Sequence, residues 1–337
     1  MSLDIFIHSL VGLLPVCCFL IALVIVDSYK LVDVRWVVGV IALGGLVAGL
    51  SYFIHVGALD NFGVTFANYT RYISPFIEEI LKGLIIVALL YRNRIGFLVD
   101  AAIFGFAVGA GFAVIENVYM LQAQPLMDIR VWIFRGFGTA MMHGAATAIL
   151  AVSYRALIRR KDRSPMIAFL PGLLVASVVH SVYNHFFFPP VVNTLVVMVS
   201  LPVLMVVVYK QSEEAVAEWL DVGFDADTEL LELINSGNLS TSKVGLYLLM
   251  LKEKFRGEIV ADLLCYLRLH VELSMRAKGL LLMRENGFET EIGEETKAKL
   301  VEMKFLEKSI GKTGKLALKP FLQLSRKDLW QIYILSK

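Results

Sequence analysis

Two adjacent glutamates, Glu78 and Glu79, stand in the apolar run FIEEILKGLIIVALLYR (76–92), and Lys82 follows one turn later. Three further apolar runs carry polar groups of the same kind: Glu116 in FAVIENVY, His143 in GTAMMHGAAT, and His180 with Asn184 in VVHSVYNHFF. Ionisable groups in hydrocarbon are costly, roughly 2.5–3.5 kcal/mol each even on lenient insertion scales. These residue types suit hydrolysis. Cleaving a peptide bond needs a base to deprotonate water, a positive or hydrogen-bonding group for the oxyanion, and an acid for the leaving amine. Glu78 or Glu79 is the candidate base. On a helix Lys82 lies about 40° from Glu78 and about 60° from Glu79, so it can pair with either and keep one of the two ionised. His143, His180 and Glu116 make a His₂-carboxylate set that matches catalytic zinc with one position left for water. Asn184, four residues after His180 and on the same helical face, could hold the substrate carbonyl or the oxyanion. Without a metal, the imidazoles and Asn184 could serve the oxyanion directly.

The elements that must position these groups are membrane spans. The chain of 337 residues is 57% hydrophobic and 18% charged, whereas soluble domains carry about 25% charge. Seven apolar segments reach the roughly 20 residues that a bilayer requires, near 5–26, 36–59, 72–91, 97–121, 131–154, 166–188 and 191–209. The first is too long for a signal-peptide core and lacks a basic leader, so it reads as a retained span. In the last, Pro202 and the preceding Pro189-Pro190 point to a kinked or shorter element. Nine basic residues fall on one side, Lys30, Arg35, Arg92, Arg94, Arg155, Arg159, Arg160, Lys161 and Arg163, against Arg71 and Arg130 on the other. By the positive-inside rule the N-terminus is outside and the C-terminus cytosolic, in a multi-pass protein of the cell membrane. At 1.5 Å per residue, Glu78, Glu116, His180 and His143 lie about 9, 8, 12 and 18 Å from the outer ends of their spans. Polar groups sharing one depth on four spans point to one water-accessible cavity.

Beyond about residue 210 the composition changes: 211–337 holds 18 basic and 20 acidic residues, against 13 and 10 in 1–209. The expected organisation is a transmembrane protease domain over 1–210 and a helical cytosolic domain over 211–337. In the latter, STSKVGLYLLMLKEKFRG puts Val244, Leu248, Leu251 and Phe255 on one helical face, with Ser240 or Thr241 as its cap and Gly257 as its end. Further helical patterns lie near 213–234, 258–285, 295–310 and 326–335. A net charge of +2 and the lack of a basic, aromatic-interleaved stripe exclude a nucleic-acid partner. Cys17, Cys18 and Cys265 have neither disulfide nor zinc-finger spacing. His8, His55 and His270 are most simply structural or surface residues, and Asp100 should be solvated or paired with Arg92 or Arg94. The glycines of FGFAVGAGF should permit close helix packing.

The order E-E-x-x-K (EEILK, 78–82), F-x-x-x-E (FAVIE, 112–116, then Asn117), a span histidine (MMHGA, His143) and H-x-x-x-N (HSVYN, 180–184) resembles the PrsW family of intramembrane proteases, relatives of the CAAX prenyl-endopeptidases. The resemblance covers roughly residues 70–190. It implies a multi-pass metallopeptidase that cuts a membrane-anchored protein, such as an anti-sigma factor, on the outer side. It also implies that Glu78, Glu79, Glu116, His143 and His180 are catalytic or metal residues. The cytosolic domain lies outside the match, and the sequence does not indicate its partner. The competing reading is a proton-coupled transporter or channel that uses the intramembrane Glu, His and Lys as a relay. No internal repeat of the kind transporters show is present.

Overall fold

A computed structural model describes residues 3–27, 31–124, 127–158, 164–286, 288, 292–318 and 321–322, and every regular element among them is helical. Six described helices contain stretches long and apolar enough to cross a membrane: Ile5–Val26, Val34–Leu59, Leu98–Ala123, Ile129–Ile158, Pro165–His185 and Pro190–Glu218. They belong to α1 (Leu3–Val26), α2 (Val34–Phe62), α5 (Leu98–Ala123), α6 with α7 (Ile129–Phe134 and Met141–Ile158), α8 (Pro165–His185) and α9 (Pro190–Asn235). The expected third span, α4 (Ser74–Tyr91), falls outside this set because 18 residues carry Glu78, Glu79 and Lys82. Those three side chains are buried, and α4 packs against α2, α5, α7 and α8. Its charges are covered by neighbouring helices. The protein is an all-α, multi-pass membrane helix bundle.

Two short described segments are π-helical. A turn, α3 (Phe66–Asn68), leads into a π-helical segment, π1 (Tyr69–Ile73), directly before α4. A second, π2 (Arg135–Ala140), separates α6 from α7. Pro75 at the start of α4 suits a position whose N–H has no intrahelical partner.

The centre of the bundle is α5, buried continuously from Val99 to Ala113. Its small residues allow this. A Cβ on Gly109 would lie 2.2 Å from the His143 carbonyl oxygen of α7, and one on Gly111 would lie 2.0 Å from the Ile41 carbonyl oxygen of α2. Only glycine tolerates such backbone approaches, and they set α7 against α5 at the level of His143. At the start of α5 the buried Asp100 accepts hydrogen bonds from Gly96 N at 2.7 Å and Phe97 N at 3.0 Å. That differs from the solvated or arginine-paired residue the sequence suggests. The free N–H groups of a helix start need an acceptor, and a carboxylate there also answers the helix dipole. Arg155, counted among the basic connections, is buried in α7 and donates to the Gly96 carbonyl. Lys30, Arg159, Arg160, Lys161 and Arg163 lie outside the described residues. Helix α9 continues through Pro202 without ending, so the element is not shortened there. Proline is tolerated in spans where neighbouring groups satisfy the carbonyl it leaves free.

The chain divides into two compact units, Met1–Ser212 and Glu213–Lys337. The second unit has its own apolar core, in which Leu248 and Leu251 of α10 (Lys243–Leu251) pack with Leu263 and Leu267 of α11 (Gly257–Glu285) and Leu300 and Met303 of α12 (Glu294–Leu318). Val244 and Phe255 pack against that core, as the face predicted from STSKVGLYLLMLKEKFRG requires. The cap is Ser242, whose Oγ accepts from Gly245 N at 3.0 Å, and Gly257 opens α11 instead of closing α10. Gly311 interrupts α12 at φ 62°, a left-handed conformation suited to glycine. The helical pattern near 326–335 lies outside the described residues.

Candidate active site

Lys82 and Glu79, three apart on α4, are fully buried and form an ion pair at 2.5 Å. An isolated charge there would be very costly, and both groups have further partners. The Glu79 oxygen that meets Lys82 also lies 3.0 Å from Nδ1 of His180 on α8, and its other oxygen lies 3.3 Å from Thr147 Oγ1 on α7, whose one proton is shared with the His143 carbonyl at 3.0 Å. The ammonium of Lys82 is 3.2 Å from Nδ1 of His143 and 4.6 Å from the centre of the Phe112 ring, an added cation–π contact. Glu79 thus has partners on both oxygens.

Glu78 differs. Its Oε1 accepts from Ser74 Oγ at 2.5 Å and sits 3.2 Å from Nε2 of His55 on α2. Its Oε2 is buried without a hydrogen-bond partner and faces Nε2 of His180 at 3.9 Å. The rings of His143 and His180 meet edge to face with centroids 4.7 Å apart.

The outer part of the cluster comes from α5 and π2. Glu116 Oε2 lies 2.8 Å from His143 Nε2, and its Oε1 accepts from Arg135 at 2.9 Å. Arg135 also donates Nε–H to Asn117 Oδ1 at 2.8 Å, while Asn117 Nδ2 donates to the Gly12 carbonyl of α1 at 2.9 Å. The partners fix the tautomers. Lys82 can only donate, so His143 accepts at Nδ1 and carries its proton on Nε2 toward Glu116. Glu79 can only accept, so His180 is protonated at Nδ1 and presents a lone pair at Nε2.

The structure therefore brings Glu78, Glu79, Lys82, Glu116, His143 and His180 into one connected cluster. Asn184 is engaged elsewhere: its Nδ2 donates to the Thr70 carbonyl of π1 at 3.0 Å, beside a 2.6 Å bond from Ser181 Oγ to the Arg71 carbonyl. The metal set expected from residue types and spans, Glu116 with His143 and His180, is also regrouped. Among the described residues, the three whose donor atoms lie within 4.8 Å of one another are Glu78, His143 and His180. Glu116 is occupied by Arg135 and His143 instead.

Residues 33–209 match the family model described as PrsW family intramembrane metalloprotease. This chain belongs to the PrsW family. No curated protein and no solved structure shows a significant match to it. Membership of the PrsW family supports a membrane protease over the transporter or channel reading of the same residue types.

A divalent cation fits the PrsW-family site on two grounds. The unpartnered Glu78 Oε2 and the free lone pair of His180 Nε2 point at one another. With the imidazoles of His55, His143 and His180 all neutral, three carboxylates (Glu78, Glu79, Glu116) face two fixed cations (Lys82, Arg135), a balance of one negative charge that a cation would offset. The Glu79–His180 contact has the form of a carboxylate holding a ligand histidine in its coordinating tautomer.

Sequence reasoning passed over His55, Tyr69, Ser74, Thr147 and Arg135 in this PrsW-family site. Arg135 carried a usable signal, a guanidinium inside the apolar segment 131–154. His55 carried the same one, a lone imidazole in the span 36–59.

Proposed function

We propose that this protein is an endopeptidase that hydrolyses a peptide bond of a membrane-anchored protein in the outer half of the bilayer, with Glu78 as the residue that takes the proton from water. The observation that carries this is the unpartnered Oε2 of Glu78 facing the free Nε2 of His180. Two acceptors 3.9 Å apart leave a place for one water molecule to donate to both. Glu79 holds His180 in that tautomer, and Lys82 keeps Glu79 ionised. Glu78, once it has taken the proton from water, is the acid able to pass that proton to the leaving amine, and His143 is held beside it by Lys82 and Glu116. Asn184 stays a candidate for the oxyanion, because Thr70 takes one of its two amide hydrogens. When bound, a zinc ion would be held by Glu78 and His180, with His143 as third ligand once Lys82 gives up its Nδ1, and would supply Lewis-acid polarisation of water and of the scissile carbonyl.

Loop charges support an outside N-terminus, a cytosolic C-terminus and placement in the cell membrane. The motif order supports kinship with CAAX prenyl-endopeptidases and a substrate such as an anti-sigma factor. Residues 1–210 are assigned the catalytic role and 211–337 a cytosolic one. The test is cleavage of a co-expressed single-span substrate by the wild type and by Glu78→Gln. The variant should remain in the membrane and cleave nothing; equal cleavage by both removes Glu78 as the base.

A further inference from the structure

His55 lies 23 residues from Glu78 on a different helix, yet the two side chains meet at 3.2 Å. Its other nitrogen, Nδ1, is 2.7 Å from the hydroxyl of Tyr69, a buried residue at the start of π1. Ser74 Oγ completes the group, 2.5 Å from Glu78 Oε1 and 3.3 Å from His55 Nε2. Groups from α2 and α4 thus meet on one carboxylate oxygen, with Tyr69 of π1 behind His55.

The hydrogen-bonding options are few. Ser74 has one hydroxyl proton, and at 2.5 Å from a carboxylate it is donated to Glu78. If His55 carried its proton on Nδ1, a bare Nε2 lone pair would face the carboxylate oxygen at 3.2 Å with no proton between them. The Tyr69 hydroxyl resolves this by donating to Nδ1, which puts the imidazole proton on Nε2 and aims it at Glu78. Oε1 then receives two donors and Oε2 none. A carboxylate anchored through one oxygen cannot turn freely, so the other is held toward His180.

We infer that Tyr69 and His55 form a relay that pins Oε1 of Glu78 and so presents Oε2 to the reacting water, which makes His55 a positioning residue for the hydrolysis proposed above. This rests on Glu78 being the working carboxylate. It adds a helix, α2, and a π-helical turn to the elements that shape the site. It also gives the departure from α geometry at 69–73 a role, since Tyr69 leaves that segment in edge contact with the His55 ring at 5.5 Å.

The test has two arms. In the first, kcat and KM of purified wild type, His55→Ala, His55→Gln and Tyr69→Phe are measured on a single-span substrate. Loss of an orienting partner lowers activity about 10–100-fold. His55→Ala should show that loss in kcat with KM within about twofold. His55→Gln, whose amide N–H can reach the same oxygen, should recover most of it, and Tyr69→Phe should fall between. Wild-type kcat in His55→Ala, or equal loss in the alanine and glutamine variants, overturns the inference. In the second arm, nitrogen NMR of ¹⁵N-histidine-labelled wild type identifies His55 by the signals missing in His55→Gln. The expected pattern is protonated Nε2 and bare Nδ1; the opposite tautomer overturns the relay. This arm needs no substrate, so a wild type that cleaves nothing would sink the proposed function while the relay is still decided by its tautomer.

Discussion

Nδ1 of His180 lies 3.0 Å from Glu79, and Nε2 of the same ring lies 3.9 Å from Glu78. One imidazole therefore lies between two neighbouring glutamates with different surroundings. Glu79 is consumed by Lys82, His180 and Thr147, while Glu78 keeps one oxygen without a partner.

The two glutamates should respond differently to the same substitution. Glu78→Gln keeps the shape and removes the base, so cleavage should fall by at least about 100-fold with the melting temperature in detergent little changed. Glu79→Gln leaves Lys82 buried beside a neutral amide, and breaking a buried pair this way costs about 3–5 kcal/mol. Both activity and melting temperature should drop. Paired cleavage and melting measurements on the two variants check this, and the reverse pattern would exchange their roles.

Lys82→Met alone should destabilise the protein by a similar amount, because Glu79 becomes the buried charge without its cation. Adding Glu79→Gln to Lys82→Met should restore much of that loss, since neither charge is then left alone. Melting of the two single variants and the double variant gives the coupling. Additive losses would mean that the two charges do not act as a pair.

If Glu78, His143 and His180 hold zinc, chelation should inactivate the purified protein and added zinc should restore it. Metal analysis should find about one zinc per chain. His180→Ala should lose the metal as well as the activity. Full activity of metal-free protein would leave Glu78 and the imidazoles to act alone.

The second compact unit carries a separate pH dependence. His270 on α11 is buried, and burial lowers its pKa to about 4. Its Nε2 has no hydrogen-bond partner. The unfolded chain, with an imidazole pKa of about 6.5, binds a proton that the folded state refuses. Stability is therefore greatest above pH 6.5 and falls as the pH drops toward 4, by about 3 kcal/mol over the window. Thermal melting of the full chain at pH 7 and pH 5 should show the loss, and His270→Phe should diminish it. An unchanged pH profile in that variant would place the acid sensitivity elsewhere.

Much of the bundle was legible in the sequence because the constraint is one-dimensional. A helix that hides its backbone in lipid needs about 20 apolar residues, and length and composition report that directly. The polar exceptions were legible for the same reason: Glu78, Glu79, Lys82, Glu116, His143 and His180 are conspicuous in such runs. FGFAVGAGF likewise signalled a close approach, which Gly109 makes against the His143 carbonyl.

What sequence left open was partnership. Angles around one helix allow Lys82 to reach Glu78 or Glu79; only the position of His180 on α8 and Thr147 on α7 shows the second to be the paired one. Residue type and depth grouped Glu116 with the histidines, but Arg135, arriving from π2, pairs with it. His55 looked like one more apolar-span histidine until α2 packed beside α4. Residue type and periodicity are properties of single helices, whereas hydrogen bonds between helices depend on their rotation and separation. Those are set by side-chain and glycine packing over the whole bundle, so the kinds of groups were fixed by the chain and their division of labour by its tertiary structure.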